Sequence, residues 1–452
     1  MNSLKTASKT YLTIGSLIFG MIFGAGNLVF PVHLGQLAGH NWLPAAIGFI
    51  VSGVFLPLFA LLAISITRSR GLFELALPVG PWFALVFLVL VHATIGPLCA
   101  TPRSATVPYA IGVAPYLSAG MQPWGLAIYT GLFFLLVYFF ATREGKITEI
   151  IGKVLNPVFL VMLFVIFLMA FIRPMGSLHA PQPTRDYLTH AFASGFLQGY
   201  NTMDALAMLI FGVTIIAAVQ QMGFQRGQQT SLATVKGGMI GIAGVGIMYL
   251  GLIYLGTTSR NHFAVAANGG TTLNQVAHYY MGDFGNALLL TLATITCMTT
   301  AMGLVIAFSQ DFHDRFPKVS YKTFLRLNCL LSFIIANLGL DKIVTWSTPI
   351  LMLLYPLAIV LILLGMLSPL FANAAVVYRW GLLFTFVPAI LDMVNAFPPV
   401  LRQLEISQSL IRYARHIPLY QLGLGWLPFA IVGVVCGLLV WRLRTPHGRQ
   451  TD

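Results

Sequence analysis

Charge is what this chain has least of. Only 8% of its 452 residues are Asp, Glu, Lys or Arg, 58% are hydrophobic, and the mean hydropathy is +0.84. A water-soluble surface needs roughly a quarter of all residues charged. Soluble domains, a disordered chain and a secreted disulfide scaffold are therefore excluded together. Acids are scarcer than bases, 12 against 25, giving a net charge of +13. Nucleic-acid binding needs those bases on one face; here they fall as short groups between apolar runs. The four cysteines (Cys99, Cys297, Cys329, Cys436) lie far apart with no CxxC or Cys/His spacing, which argues against a metal or redox centre. The ten histidines form no HExxH pattern. No GxSxG or phosphate-binding loop is present, and no clustered nucleophile or His/Asp/Glu constellation supports a membrane-bound enzyme. Without an ATP site, any transport must run on an ion gradient or on the substrate's own.

What the chain has is length of hydrocarbon. A membrane span needs about 20 apolar residues. Twelve such stretches are read, near 11–34, 42–67, 82–102, 123–141, 147–172, 190–220, 231–256, 285–308, 323–339, 343–366, 377–397 and 422–442. Lys5 and Lys9 precede the first of them, as in a signal peptide, but the apolar run outlasts an h-region and lacks a cleavage site, so it reads as a retained span. The Pro-rich piece 102–123 and the polar piece 257–284 are expected to be short surface or re-entrant helices. With the N-terminus inside, 17 of the 25 bases fall on inner segments and 8 on outer ones, the bias that marks cytoplasmic loops. Both termini are then cytoplasmic.

Two spans contain residues that a lipid-facing helix avoids. Span 1 reads IFGMIFGAGNLVFP, placing Gly20, Gly24, Gly26, Asn27 and Pro31 together. Gly24 lies about 13 residues into the span, or ~20 Å at 1.5 Å per residue, a little beyond the middle of a ~30 Å core. Span 6 reads SGFLQGYNTMDALAMLIFG, with Gly199, Asn201, Thr202 and Asp204 ahead of an apolar second half. Small residues alone would read as close helix packing. The polar residues and the second broken span point instead to unwound backbone, which membranes tolerate only inside protein or beside a cavity. Five spans separate one break from the next. Because five is odd, a second five-span unit would enter from the opposite side. The reading is an all-α polytopic membrane protein with a 5+5 inverted repeat and discontinuous helices 1 and 6. Residues 1–180 are the first repeat, 181–370 the second, and 371–452 two additional helices. Paired interruptions in two halves point to a transporter's binding site. Half-helix N-termini attract an anion, and half-helix C-termini a cation. A free amino acid suits both, and spare carbonyls suit Na⁺.

The chain resembles the branched-chain amino acid:cation symporter family, the bacterial LIV-II carriers. The matching stretches are FGAGNLVFP (23–31), IGPLCATPRSATV (95–107), GYNTMDALAMLIFG (199–212), CMTTAMGL (297–304) and LYP (354–356). The resemblance implies uptake of leucine, isoleucine and valine across the bacterial cytoplasmic (inner) membrane, coupled to Na⁺ or another monovalent cation such as H⁺ or Li⁺. It also implies the inverted-repeat fold of the amino acid–polyamine–organocation superfamily. An aromatic amino acid or nucleobase is the alternative cargo. The chain departs from the family at Ala110, where a carboxylate is common, and at Asn201, where an apolar residue is.

Candidate site residues follow. Asp204 would cost about 2.5–3.5 kcal/mol at mid-membrane, and it sits beside a break where it can meet Na⁺, a proton or an ammonium; the plain alternative is a cap on the second half of span 6. Ala25, Gly26 and Asn27 would present N–H groups to a substrate carboxylate. Gly199, Tyr200, Asn201 and Thr202 would form the facing wall. In span 8, Ala293, Thr296, Thr300, Gly303 and Ala307 make a small, hydroxylated stripe. The match of CMTTAMGL implies Thr299 and Thr300 as Na⁺ ligands, with span 1 carbonyls around Gly20 and Phe23; the alternative is hydroxyls bonding back to their own helix. Arg103 is expected at the outer end of span 3, as an interfacial arginine or a gate charge. Asp392 is expected at the membrane interface.

Overall fold

The computed structural model describes residues 2–142, 161–179, 181–224 and 228–444. Among them every regular element is helical, as a hydrocarbon solvent requires of a chain that does not close a barrel. Among the described residues eight helices are long and apolar enough to cross a membrane, or nine when a bent pair counts as one span. The predicted span 147–172 lies largely outside the described residues, and only its end, α9 (Val161–Ile172), is seen. The predicted span 323–339 is present as the 16-residue helix α15 (Tyr321–Ala336).

Both expected interruptions are there. α1 (Asn2–Ile22) stops two residues before α2 (Ala25–Ala38), and α11 (Ala191–Tyr200) is separated from α12 (Asp204–Gln221) by Asn201, Thr202 and Met203. Glycine explains the first, because Gly24 gives no side-chain support to either half. At the second, Met203 takes a left-handed conformation, φ 62°, which costs a non-glycine residue of order 1–3 kcal/mol and recurs where function fixes the backbone.

Each broken helix packs on a helix from the other half of the chain. α1 and α2 lie along α13 (Gln228–Ser259); α11 and α12 lie along α3 (Trp42–Ile50) and α4 (Leu56–Thr67), which a π-turn at 51–55 joins. Glycines permit both crossings. A Cβ at Gly35 would collide with the Ile253 carbonyl, and one at Gly256 with that of Val32; likewise Gly48 meets Phe192 and Gly195 meets Ala45. Such small-residue approaches replace the hydrophobic drive that helices lack in lipid.

One expectation about the remaining chain needs correction. Residues 102–123 do not begin a surface piece. The helix α6 (Pro81–Ala93) turns through a π-segment, kinks at Gly96 (φ −76°, ψ −119°) and continues as α7 (Ala100–Gly112). α7 is buried from Thr101 to Tyr109. Pro102 fits the first turn of α7, where its missing N–H is no loss, so a proline that read as a terminus is an initiator. The piece 257–284 is closer to expectation: after α13 ends at Ser259, the first part of α14 (Gly269–Arg315) runs to a sharp bend at Gly282 (φ 62°) and rests on α2, where Gly269 touches the Val29 carbonyl. Beyond it come α16 (Leu340–Leu367), α17 (Ala375–Asn395) and α20 (Trp426–Arg444). Asp392, expected at the interface, is buried at 2% exposure, facing Gly425 at the start of the last helix.

Candidate functional site

The two interruptions meet. Asn27, in the first turn of α2, accepts a hydrogen bond from Gly24 N–H through Oδ1 at 2.9 Å. That N–H would otherwise donate to the Gly20 carbonyl, so the ladder of span 1 opens here and Gly20 loses its helical partner. The Nδ2 of Asn27 donates to both carboxylate oxygens of Asp204, at 3.0 and 2.8 Å. Tyr249 of α13 closes the arrangement by donating to Asp204 Oδ2 and accepting from Asn27 Nδ2. All three are buried. Asp204 also stands in the first turn of α12, where the helix dipole favours an anion.

A cavity of about 30 Å³ lies between the breaks, bordered by Gly24, Ala25, Gly26, Asn27, Thr202, Met203, Asp204 and Thr300, with Ile22, Ile95, Phe211 and Leu304 on its apolar side. That is room for roughly two waters, so the site must widen for an amino acid. Larger cavities flank it. One of about 730 Å³ is bordered by Arg70, Glu74, Thr214, Gln310 and Asp311. Another, of about 660 Å³, is bordered by Thr106, Ala110, Asn268, Thr271 and Asp341. Both draw on the helix of span 3, Leu88 bordering the first and Thr106 and Tyr109 the second.

The predicted residues divide into groups. Ala25, Gly26, Asn27, Thr202, Asp204 and Thr300 border the cavity. Asn201 is buried beside it, its side-chain oxygen unpartnered. Gly199 faces elsewhere, with Ser52 Oγ where its Cβ would be, so it serves the α11–α3 crossing. Tyr200 stacks on Tyr355, centroids 4.1 Å apart, behind the wall. Thr300 lies against Gly24, its Oγ1 3.3 Å from the position of a Cβ there. Both Thr299 and Thr300 donate to the Thr296 carbonyl, at 2.8 and 3.2 Å, which leaves their lone pairs for another partner. Gly20 and Phe23 flank the break at the end of α1 without bordering the cavity.

Two residues were not among the expected site. Tyr249 carries no sequence signal that separates it from any packed aromatic. Arg103 was expected at the outer interface but is 2% exposed and borders the cavity, donating from Nη1 to the Asn201 carbonyl at 2.7 Å. The reason is the continuation of α7 past Pro102, which carries Arg103 into the protein.

Two discontinuous helices joined at a buried polar cavity, within an all-helical bundle of apolar spans, define a multi-pass membrane protein of the broken-helix carrier class. The chain belongs to the branched-chain amino acid transport protein family, whose model matches residues 7–444. It is 40% identical over 430 residues to the branched-chain amino acid permease BrnQ of Lactobacillus delbrueckii subsp. lactis, covering 94% of this chain and 96% of that one. It is 38% identical to BrnQ of Bacillus subtilis, over 98% and 99% of the two chains. It is 35% identical to the branched-chain amino acid transport system 2 carrier protein of Pseudomonas aeruginosa, over 96% and 97%. Among solved structures, Mhp1, a nucleobase-cation-symport-1 family transporter captured closed with bromovinylhydantoin bound, superposes with a TM-score of 0.53 over 97% of this chain and 94% of that one, at 12% identity. That likeness concerns the fold. The family is one of transporters, so the chain is not an enzyme.

Proposed function

We propose that this protein takes up leucine, isoleucine and valine by symport with a monovalent cation, Na⁺ first and H⁺ or Li⁺ as the other candidates. The carrying observation is that both interruptions converge on one small cavity bordered by Asn27, Thr202 and Asp204 as well as by apolar side chains, in a chain whose relatives are named branched-chain amino acid permeases. In this reading the N–H groups of Ala25 and Gly26 face the substrate carboxylate, with Asn27 bracing them through Asp204. Asn201 and Thr202 form the opposite wall, and Gly199 and Tyr200 support it. The cation sits between the carbonyls of Gly20 and Phe23 and the hydroxyls of Thr299 and Thr300. The position of Thr300 against Gly24 supports this, as does the lost helical partner of the Gly20 carbonyl.

The architecture in this proposal is twelve spans: repeats at 1–180 and 181–370, with 371–452 added. Its support is the reciprocal packing of each broken helix on the second helix of the other half. Both termini lie in the cytoplasm of a bacterium's inner membrane, on the side favoured by the bases. Alternating access then comes from rocking one bundle against the rest, opening the small cavity toward one large one at a time. The test is leucine uptake into proteoliposomes under imposed Na⁺, H⁺ or Li⁺ gradients, with valine, phenylalanine and uracil as competitors. Accumulation driven by one cation and inhibited by valine alone is expected. Inhibition by phenylalanine or uracil instead would assign another cargo.

A further inference from the structure

Among the described residues Arg103 is a fully buried cation with no ion-pair partner. Its side chain is among the most buried in the molecule. A guanidinium carries five N–H donors in a planar fork. One of them, on Nη1, reaches the Asn201 carbonyl; Nε has no hydrogen-bond partner. The face of the group lies over the Phe30 ring, 5.1 Å from its centroid. Nη2 points at Gly26, standing 3.5 Å from where a Cβ would be. Among the described residues no carboxylate comes within ion-pair distance of it. Asp204 attracts it across the cavity but is held by Asn27 and Tyr249.

A buried cation that is packed, bonded through Nη1, unpartnered at Nε and turned toward a cavity is stabilised by an anion there. The first turn of α2, where Gly24 offers no capping side chain, presents N–H groups to the same space. The two together outline a carboxylate: one edge for backbone donors, the other for the fork that Arg supplies and Lys does not.

We infer that Arg103 is the carboxylate anchor of the substrate site, and that it works opposite Asp204 to bind a zwitterion. The inference rests on the proposed amino acid cargo and assigns its orientation. The carboxylate lies between Arg103 and the start of α2, the ammonium faces Asp204, and the aliphatic side chain lies toward Ile22, Ile95, Phe211 and Leu304. Arg103 and Asp204 balance each other, so the zwitterion itself adds no net charge, and the loaded site differs in charge only by the symported cation. A molecule that is merely apolar, or an amine without a carboxylate, leaves Arg103 unpaired and is rejected.

The experiment is equilibrium binding to the full-length purified protein, with leucine and leucine amide as probes. In the unsubstituted protein leucine binds at least roughly 100-fold more tightly than its amide. Arg103→Gln lowers leucine affinity by roughly 100-fold and leaves the amide within about threefold, so the ratio collapses. Arg103→Lys keeps the charge without the fork, and its ratio falls by roughly tenfold. If Arg103→Gln does not fold, the ratio in Arg103→Lys decides. A structural role for Arg103 would weaken both probes alike, and an unchanged ratio in either folded variant overturns the anchor while leaving the cargo intact. Failure of the unsubstituted protein to bind any branched-chain amino acid overturns the cargo and the anchor together.

Discussion

Asn27 and Asp204 are 177 positions apart in sequence and share two hydrogen bonds in a buried cavity. Their residue types explain the choice. A carboxylate at this depth needs donors, and Asn supplies an amide NH₂ while its oxygen relieves Gly24 N–H. Leaving a buried acceptor unsatisfied costs about 1–3 kcal/mol, more when it is charged. Tyr249→Phe removes one donor from Asp204, and leucine uptake is expected to fall severalfold with expression kept; full uptake by a Tyr249→Phe carrier in membrane vesicles would take Tyr249 out of the site. The two threonines belong to the cation instead. Thr299→Ala combined with Thr300→Ala should raise the cation concentration for half-maximal uptake, and an unaltered cation dependence would move the ion elsewhere.

At the level of helices, the crossings of α2 with α13 and of α11 with α3 rest on backbone meeting backbone. Gly256→Leu or Gly195→Leu inserts a side chain where a carbonyl already stands. Overpacking typically costs about 1–3 kcal/mol, and here the helices must also separate. Both variants are expected to lose uptake and melt at lower temperature in detergent. Gly303→Ala is the contrast, since nothing lies within 4 Å of its new Cβ; uptake and melting temperature should stay near those of the parent. The breaks themselves were legible in sequence, because Gly-Ala-Gly-Asn and Asn-Thr-Met-Asp are residues that an unbroken membrane helix excludes. Their joining through Asn27 and Asp204 was not legible, because periodicity carries no information about which helices touch. Arg103 was misjudged for a different reason. Pro102 and the Pro-rich piece after it read as the end of a span, whereas the chain kinks at Gly96, restarts at Ala100 and stays buried. The burial of Asp392 was not legible either, since a carboxylate near a span end gives no sign that the start of α20 covers it.

Across the whole molecule, a small site of about 30 Å³ lies between cavities of about 730 and 660 Å³. Thr214 borders one and Thr271 the other. Thr214→Cys and Thr271→Cys should therefore react with a membrane-impermeant thiol reagent from opposite faces of the membrane, and leucine with its cation should change the two rates in opposite senses. Reaction of both from the same face would contradict alternating access through this path. The centre of the account is that substrate is held where the two helices are interrupted and where Asp204 joins them. Leucine binding to purified Asp204→Asn protein tests this most directly. The account predicts that binding is largely lost while the protein remains folded and monodisperse; binding at the parent's affinity would contradict it.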